Sequence, residues 1–282
     1  QMVTTTGDNV QVWAVRGNFD DCQTGVKHAF ADEKFAEKLL DEYRIALSSA
    51  NSINWGRLLP QVVYYISSYA ELVAAGKIEA GCPIDVCVPT GNFGNILAAW
   101  YAKQIGVPIE RLLCASNDNR VLTDFINTGT YDISDREFIL TSSPSMDILV
   151  SSNLERQLFE LTGRNGEAIR QWVGRGGDED GVLAAQNLRG ENPVLIASTA
   201  HWAKFGNNVY RAIHGIEPSG ELPADVAALT GCELNKLIAE ETDKHHIPAG
   251  LANLDTMQLR FTEVIDNDVE AIEDAAEAFL TR

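Results

Sequence analysis

Ile84-Asp85-Val86-Cys87-Val88-Pro89-Thr90-Gly91-Asn92-Phe93-Gly94-Asn95 is the stretch that decides the fold. Ile84 to Val88 is an apolar, strand-like run, and Asn95 to Ile105 is helix-like. A strand that breaks into a glycine-containing turn and then a helix gathers several backbone N–H groups at one point. The helix dipole adds partial positive charge there, so the place suits a phosphate. Gly91 and Gly94 let the backbone approach an anion closely and take positive φ. Asn92 and Asn95 can add side-chain donors. The run is no Walker loop, since no Gly-Lys-Ser/Thr follows, and it is not the GxGxxG fingerprint. On these letters alone an ordinary βα turn reads equally well.

Working outward, Val10 to Val15 alternates and reads as a strand. Asp20 or Asp21 is placed to cap a helix that runs, with some interruption, towards Tyr43. Leu58, Leu59, Val62, Val63, Ile66 and Tyr69 recur at helical spacing, with Pro60 tolerated in the first turn. Leu112 to Ala115 and Val194 to Ala197 read as strands. Asp147 to Leu161, Ala203 to Ile213, Cys232 to Glu241 and Val269 to Leu280 read as helices. Glu179-Asp180 and Glu217 to Pro223 read as surface loops. The alternation around the central turn predicts an α/β fold with a parallel or mostly parallel sheet and helices on both faces. Such sheets bind ligands at the carboxyl ends of strands, where Gly91 to Asn95 would lie.

The 282 residues carry 40 acidic against 22 basic side chains, a net charge of −18. That balance argues against nucleic acid or an anionic membrane as partner. It leaves room for a phosphorylated small molecule, because a local group of cations and N–H donors can hold an anion in an acidic protein. No apolar run approaches a membrane span. Cys22, Cys82, Cys87, Cys114 and Cys232 are odd in number and form no CxxC pair. They read as reduced thiols of a cytoplasmic protein, and no metal site is expected.

A second run, Ser49-Ala50-Asn51-Ser52-Ile53-Asn54-Trp55-Gly56-Arg57-Leu58-Leu59-Pro60-Gln61, is dense in hydroxyls and amides ahead of an apolar helix. Together with Pro89 to Asn95 it resembles threonine synthase, a pyridoxal 5′-phosphate family of fold type II, tryptophan synthase β-like. Gln1 to Cys22, Asn117 to Asp132, Phe138 to Ile148 with Ser151 to Arg156, and Ala197 to His201 with Lys204-Phe205 resemble further segments of that family, in family order. The resemblance implies a PLP-dependent lyase that turns O-phospho-L-homoserine and water into L-threonine and phosphate, as a monomer or homodimer. It implies that Gly91, Asn92, Phe93, Gly94 and Asn95 cradle the cofactor phosphate and that Thr199 meets the pyridine nitrogen. Asn51, Ser52, Asn54, Arg57 and Lys204 become candidates for the substrate's phosphate or carboxylate; arginine's planar fork suits such oxyanions.

Blander readings stand beside these. Phe93 reads also as a core anchor, Thr199 as a sheet threonine, Ser52 and Asn54 as helix caps, and Lys204 as a solvated surface residue. Ser142, Ser143, Ser145, Ser152 and Asn153 form a polar stretch that capping and turn roles mostly explain. A role in the site or in a subunit contact stays open for it. His201 stands beside Thr199 as another lining candidate, and His245-His246 reads as surface.

The sequence departs from the family twice. None of Lys27, Lys34, Lys38, Lys77, Lys103, Lys204, Lys236 and Lys244 stands in the family's Phe-Lys-Asp motif, which supplies the Schiff-base lysine. Between Glu167 and Pro193 the family's longer stretch, ending in an Asp-Pro-His-Thr-like motif, is shortened. The expectation is a PLP-binding α/β domain over residues 1–215 with a gap or shortening near 174–181, and a C-terminal helical segment over 216–282. The N-terminal domain with the lysine would lie outside these residues. Another fold-type II lyase acting on a phosphorylated or hydroxylated amino acid, or a non-catalytic fragment, are the competing functions.

Overall fold

The computed structural model describes residues 2–17, 19–49, 52, 54–134, 136–141, 143, 146–174, 192–217, 219–242 and 246–281. Along the chain run β1 (Ala14–Val15), α1 (Phe19–Ala31), α2 (Glu33–Tyr43), α3 (Trp55–Ala74), β2 (Ile84–Pro89), α4 (Gly94–Gln104), β3 (Ile109–Ala115) and α5 (Val121–Thr128). Then come α6 (Leu154–Leu161), α7 (Gly166–Gly174), β4 (Val194–Ile196), α8 (Gly206–Ile213), α9 (Ala224–Ala227), α10 (Gly231–Thr242), α11 (Ala249–Ala252), β5 (Val264–Ile265) and α12 (Val269–Leu280). They fall into two compact units, residues 49–201 and residues 1–48 with 202–282. Among the described residues, no helix is long and apolar enough to cross a membrane.

In the 49–201 unit the strands lie in the order β3-β2-β4, all parallel. Central β2 is buried on both faces: Ile84, Asp85, Val86 and Val88 are each at most 1% exposed. That is the pattern of a parallel strand covered by helices, and it explains why its sequence reads as a continuous apolar run. Helix α4 turns Ile96, Leu97, Ala98, Ala99 and Ala102 into the same core as β2, joined by Leu58, Val62 and Tyr65 of α3. Its alanines let a helix axis lie close to the sheet.

Asp85 is the exception in the apolar strand, and its charge is paired. Arg111 of β3 reaches it with Nε (3.1 Å to Oδ2) and with Nη2, and gives its own backbone N–H to Oδ1 at 3.2 Å. The guanidinium bonds hold the Asp85 carboxyl below the usual carboxylate range, and the same pairing raises Arg111.

Helix α3 starts as expected, with Asn54 capping through Oδ1 to Gly56 N–H at 2.7 Å. Pro60 sits in the second turn rather than the first, where it cannot donate to the Gly56 carbonyl. The helix expected from Asp147 begins only at Leu154. Asp147 is 2% exposed. Its carboxylate accepts from Thr141 N–H (2.8 Å), Thr141 Oγ1 (2.6 Å), Asn117 Nδ2 (2.7 Å) and Asn119 Nδ2 (3.2 Å). A buried carboxylate satisfied by donors 6 to 30 residues earlier ties down a loop and so takes no place in a regular helix.

The other unit joins the two ends of the chain. The expected strand from Val10 shrinks to Ala14 and Val15, which pair in parallel with Val264 and Ile265. Helix α1 packs on α12 so closely that a Cβ on Gly25 would lie 2.5 Å from Ile272 Cδ1. Helix α1 starts at Phe19, so Asp20 and Asp21 fall inside its first turn rather than at its N-cap position. Asp32 is the interruption before Tyr43. It caps α2, accepting from Lys34 N–H at 2.8 Å and Phe35 N–H at 3.1 Å. Helix α8 starts at Gly206, later than Ala203, because Trp202–Lys204 forms a single 3₁₀ turn. Pairing between β1 and β5 places both ends of the described chain in this unit. Glu179-Asp180 and His245 lie outside the described residues.

Candidate functional site

Parallel β2 leads through Thr90 into the turn, and α4 begins at Gly94. Thr90 continues the sheet, donating its N–H to the Ala115 carbonyl at 2.7 Å. The residue that turns the chain is Phe93, with φ 62° and ψ 0°. Gly91 and Gly94 were expected to take positive φ, and neither does. Their missing side chains serve packing instead. A Cβ on Gly91 would lie 2.9 Å from Ile148 Cδ1, and one on Gly94 would lie 3.3 Å from Asn153 Nδ2. The Phe93 ring is 6% exposed, so the core-anchor reading describes its side chain while its backbone makes the turn.

Among the described residues, the backbone N–H groups of Gly91 to Ile96 meet no hydrogen-bond acceptor, and Phe93 gives α4 no side-chain cap. Six successive donors at a helix start, with Gly91, Phe93 and Ile96 buried, form a nest for an anion.

The acceptors of the same loop are tied back. Ser151 Oγ donates to the Gly91 carbonyl. The Asn92 carbonyl receives both Asn153 N–H (3.1 Å) and Asn153 Nδ2 (3.0 Å). Ser152 Oγ donates to Asn92 Oδ1 at 3.2 Å and, with its proton so used, accepts from Ser52 Oγ at 3.3 Å. Tyr65, buried in α3, donates its hydroxyl to Asn95 Oδ1. Burial pushes that phenol far above its usual range, so it acts as a neutral donor. Both asparagine amides therefore spend their oxygen on protein hydroxyls and keep the NH₂ end for donation.

Asn153 Nδ2 also donates to the Ser52 carbonyl at 2.9 Å, so the structure brings part of the second sequence run to the cradle. Asn54 in that run is engaged as a helix cap and with the Ser49 carbonyl. Arg57 projects from the first turn of α3 and is exposed. Asn51 lies outside the described residues. Ala197 N–H reaches the Cys87 carbonyl at 2.8 Å, so the chain after β4 still follows β2. Exposed Thr199 thus leaves the sheet at its carboxyl end, the end that carries the cradle. Exposed Lys204 belongs to the other compact unit. Beneath the cradle, burial pushes the Cys114 thiol up to about 11, which removes it as a thiolate at neutral pH.

Ser151, Ser152 and Asn153 are the residues whose importance the sequence understated. Their letters allow capping, and only the fold shows that they face a turn some 60 residues earlier. Asn153 is fully buried, and Arg156 Nη1 completes its amide by donating to Oδ1 at 2.5 Å.

The family described as "Threonine synthase, C-terminal" matches residues 180–275. Threonine synthase-like 1 of Macaca fascicularis is 54% identical over 261 residues, aligning 76% of this chain with 35% of that protein. The threonine synthase of Eremothecium gossypii is 42% identical over 298 residues, aligning 97% of this chain with 53% of that protein. The crystal structure of PLP-bound threonine synthase from Brucella melitensis is similar with a TM-score of 0.67 at 30% identity. It covers 100% of this chain, which covers 62% of that one. The chain spans less than two thirds of the length of each of these proteins.

Proposed function

We propose that this chain belongs to the threonine synthase family, which its similarity to threonine synthases supports, and that it carries the phosphate-binding part of an enzyme that converts O-phospho-L-homoserine and water into L-threonine and phosphate with pyridoxal 5′-phosphate. The observation that carries the proposal is the nest of unpartnered N–H groups from Gly91 to Ile96 at the carboxyl end of β2. A phosphate ester fits it, because the nest presents donors only and its carbonyls are bonded away. Gly91, Asn92, Phe93, Gly94 and Asn95 would hold the cofactor phosphate. Thr199 would offer a neutral hydroxyl to the ring nitrogen. When bound, the cofactor supplies an electron sink beside the substrate's amino acid carbons.

The chain's own residues then bind and hold. The helix dipole and N–H groups fix the cofactor's phosphate without moving, which is electrostatic preorganisation. Ser52 and Arg57 would hold the substrate's phosphate or carboxylate. A guanidinium that accompanies the phosphate as it leaves stabilises the growing charge. Asn54 contributes by fixing the start of α3, from which Arg57 projects. A cytoplasmic setting is consistent with five free cysteines.

Resemblance to a threonine synthase-like protein favours one further reading, a related lyase acting on another phosphorylated or hydroxylated amino acid. The cofactor-loaded protein separates the two when offered O-phospho-L-homoserine, O-phospho-L-threonine and L-serine in parallel. The proposal expects threonine and phosphate in equal amounts from the first alone. Arg57→Ala and Arg57→Lys are each expected to cut that turnover about 10- to 100-fold, the scale of a lost charge-assisted bond. Their thermal unfolding should match the wild type, since Arg57 is exposed. Unchanged kinetics in both variants would remove Arg57 from the site.

A further inference from the structure

We propose that Ser151, Ser152 and Asn153 act as a clamp that positions the anion nest: they hold its acceptors on one side and so aim its donors to the other. The inference rests on reading residues 91–96 as a phosphate site and extends it to residues that need not touch the phosphate. A trans peptide points its C=O and N–H in opposite directions. Ser151 Oγ holds the Gly91 carbonyl, so the Asn92 N–H points away from the clamp. Asn153 holds the Asn92 carbonyl with two donors, at 3.1 and 3.0 Å, so the Phe93 N–H points away as well. Ser152 does the same for a side chain, taking Asn92 Oδ1 at 3.2 Å and leaving the NH₂ outward. Three consecutive residues thus orient two consecutive peptide planes and one amide.

Two further observations agree with the clamp as part of the nest. Phe93 is left-handed at φ 62°, an uncommon conformation for a bulky residue that persists where the surroundings impose it. The peptide leading into it is the one Asn153 grips. The two glycines of the turn, neither of which needs positive φ, leave the space that Ile148 and Asn153 occupy. Gly94 therefore lets Asn153 of the clamp approach, and Gly91 leaves room for Ile148. Asn153 has a second duty through the Ser52 carbonyl at 2.9 Å, while the Ser151 hydroxyl donates to the Gly91 carbonyl, its N–H donates to the Tyr131 hydroxyl and its carbonyl accepts from Leu154 N–H.

The test is the affinity of the full chain for pyridoxal 5′-phosphate relative to pyridoxal, by fluorescence titration, with inorganic phosphate as competitor. Ser151→Ala is expected to lower the preference for the phosphorylated form about tenfold, the worth of misaimed donors to a charged group. Ser151→Thr keeps the hydroxyl and should keep the preference. Asn153→Ala should lower it about a hundredfold by freeing the Asn92 peptide. If that variant does not fold, the Ser151 pair decides. Affinity for pyridoxal, which lacks the phosphate, should stay unchanged in every folded variant. Wild-type preference in Ser151→Ala, or equal loss in Ser151→Thr, overturns the clamp. A wild-type chain that binds both forms alike overturns the phosphate site itself, a separate failure.

Discussion

Replacing Asp85 by alanine is expected to lower the stability of the 49–201 unit by about 3–5 kcal/mol, the cost of breaking a buried ion pair from one side. Asp85 is fully buried, and the Arg111 side chain opposite is only 15% exposed. The variant leaves that guanidinium and the Arg111 N–H without their carboxylate, and removes one of two acceptors of Asn192 Nδ2, which donates to Asp85 at 3.4 Å and also to Glu110. Denaturant unfolding followed by tryptophan fluorescence measures the change. The pH dependence has a definite sign. Because the folded carboxyl titrates below its unfolded value, the stabilisation is complete above the ordinary aspartate pKa of about 3.9 and fades as pH falls through the lowered folded value. The gap between wild type and Asp85→Asn should stay level at neutral pH and close in acid. A gap that widens in acid would contradict the assignment.

Gly91→Val is expected to cost about 1–3 kcal/mol by overpacking and to weaken pyridoxal 5′-phosphate binding about a hundredfold, an order-of-magnitude figure for loss of several charge-assisted donors. The new Cβ alone would sit 2.9 Å from Ile148 Cδ1 and 3.5 Å and 3.6 Å from the next two atoms of that side chain. Valine adds two methyls to a place already full, and the loop must shift before its N–H groups can converge. Gly91→Ala should be milder, because the nearest atom is the movable end of isoleucine. Thermal melts and ligand titration of both variants read the two effects. Valine tolerated with wild-type affinity would mean that the turn does not hold the phosphate.

The parallel sheet was legible in the sequence because its evidence is local. Ile84 to Val88 reads as a buried strand from composition, and the small residues after it announce a turn before a helix. The cap at Asn54 was open to reading for the same reason, since a cap bonds two residues away. What stayed hidden depends on distance along the chain. Asn153 acts on residues 61 and 101 positions earlier, and Asp147 on partners up to 30 positions earlier. Letters such as Ser-Ser-Asn carry no sign of whether they cap their own helix or hold another loop. The pairing of Ala14 with Val264 is longer still, and two-residue strands have no periodicity to detect. The positive φ falls on Phe93, while the glycines serve as gaps against Ile148 and Asn153.

The backbone amide resonances of Gly91 to Ile96 in the isotope-labelled chain, followed while pyridoxal 5′-phosphate is added, test the central claim most directly. The account predicts that these six move together, that inorganic phosphate moves the same set, and that pyridoxal leaves them in place. Binding that shifts other amides while Gly91 to Ile96 stay still would contradict it.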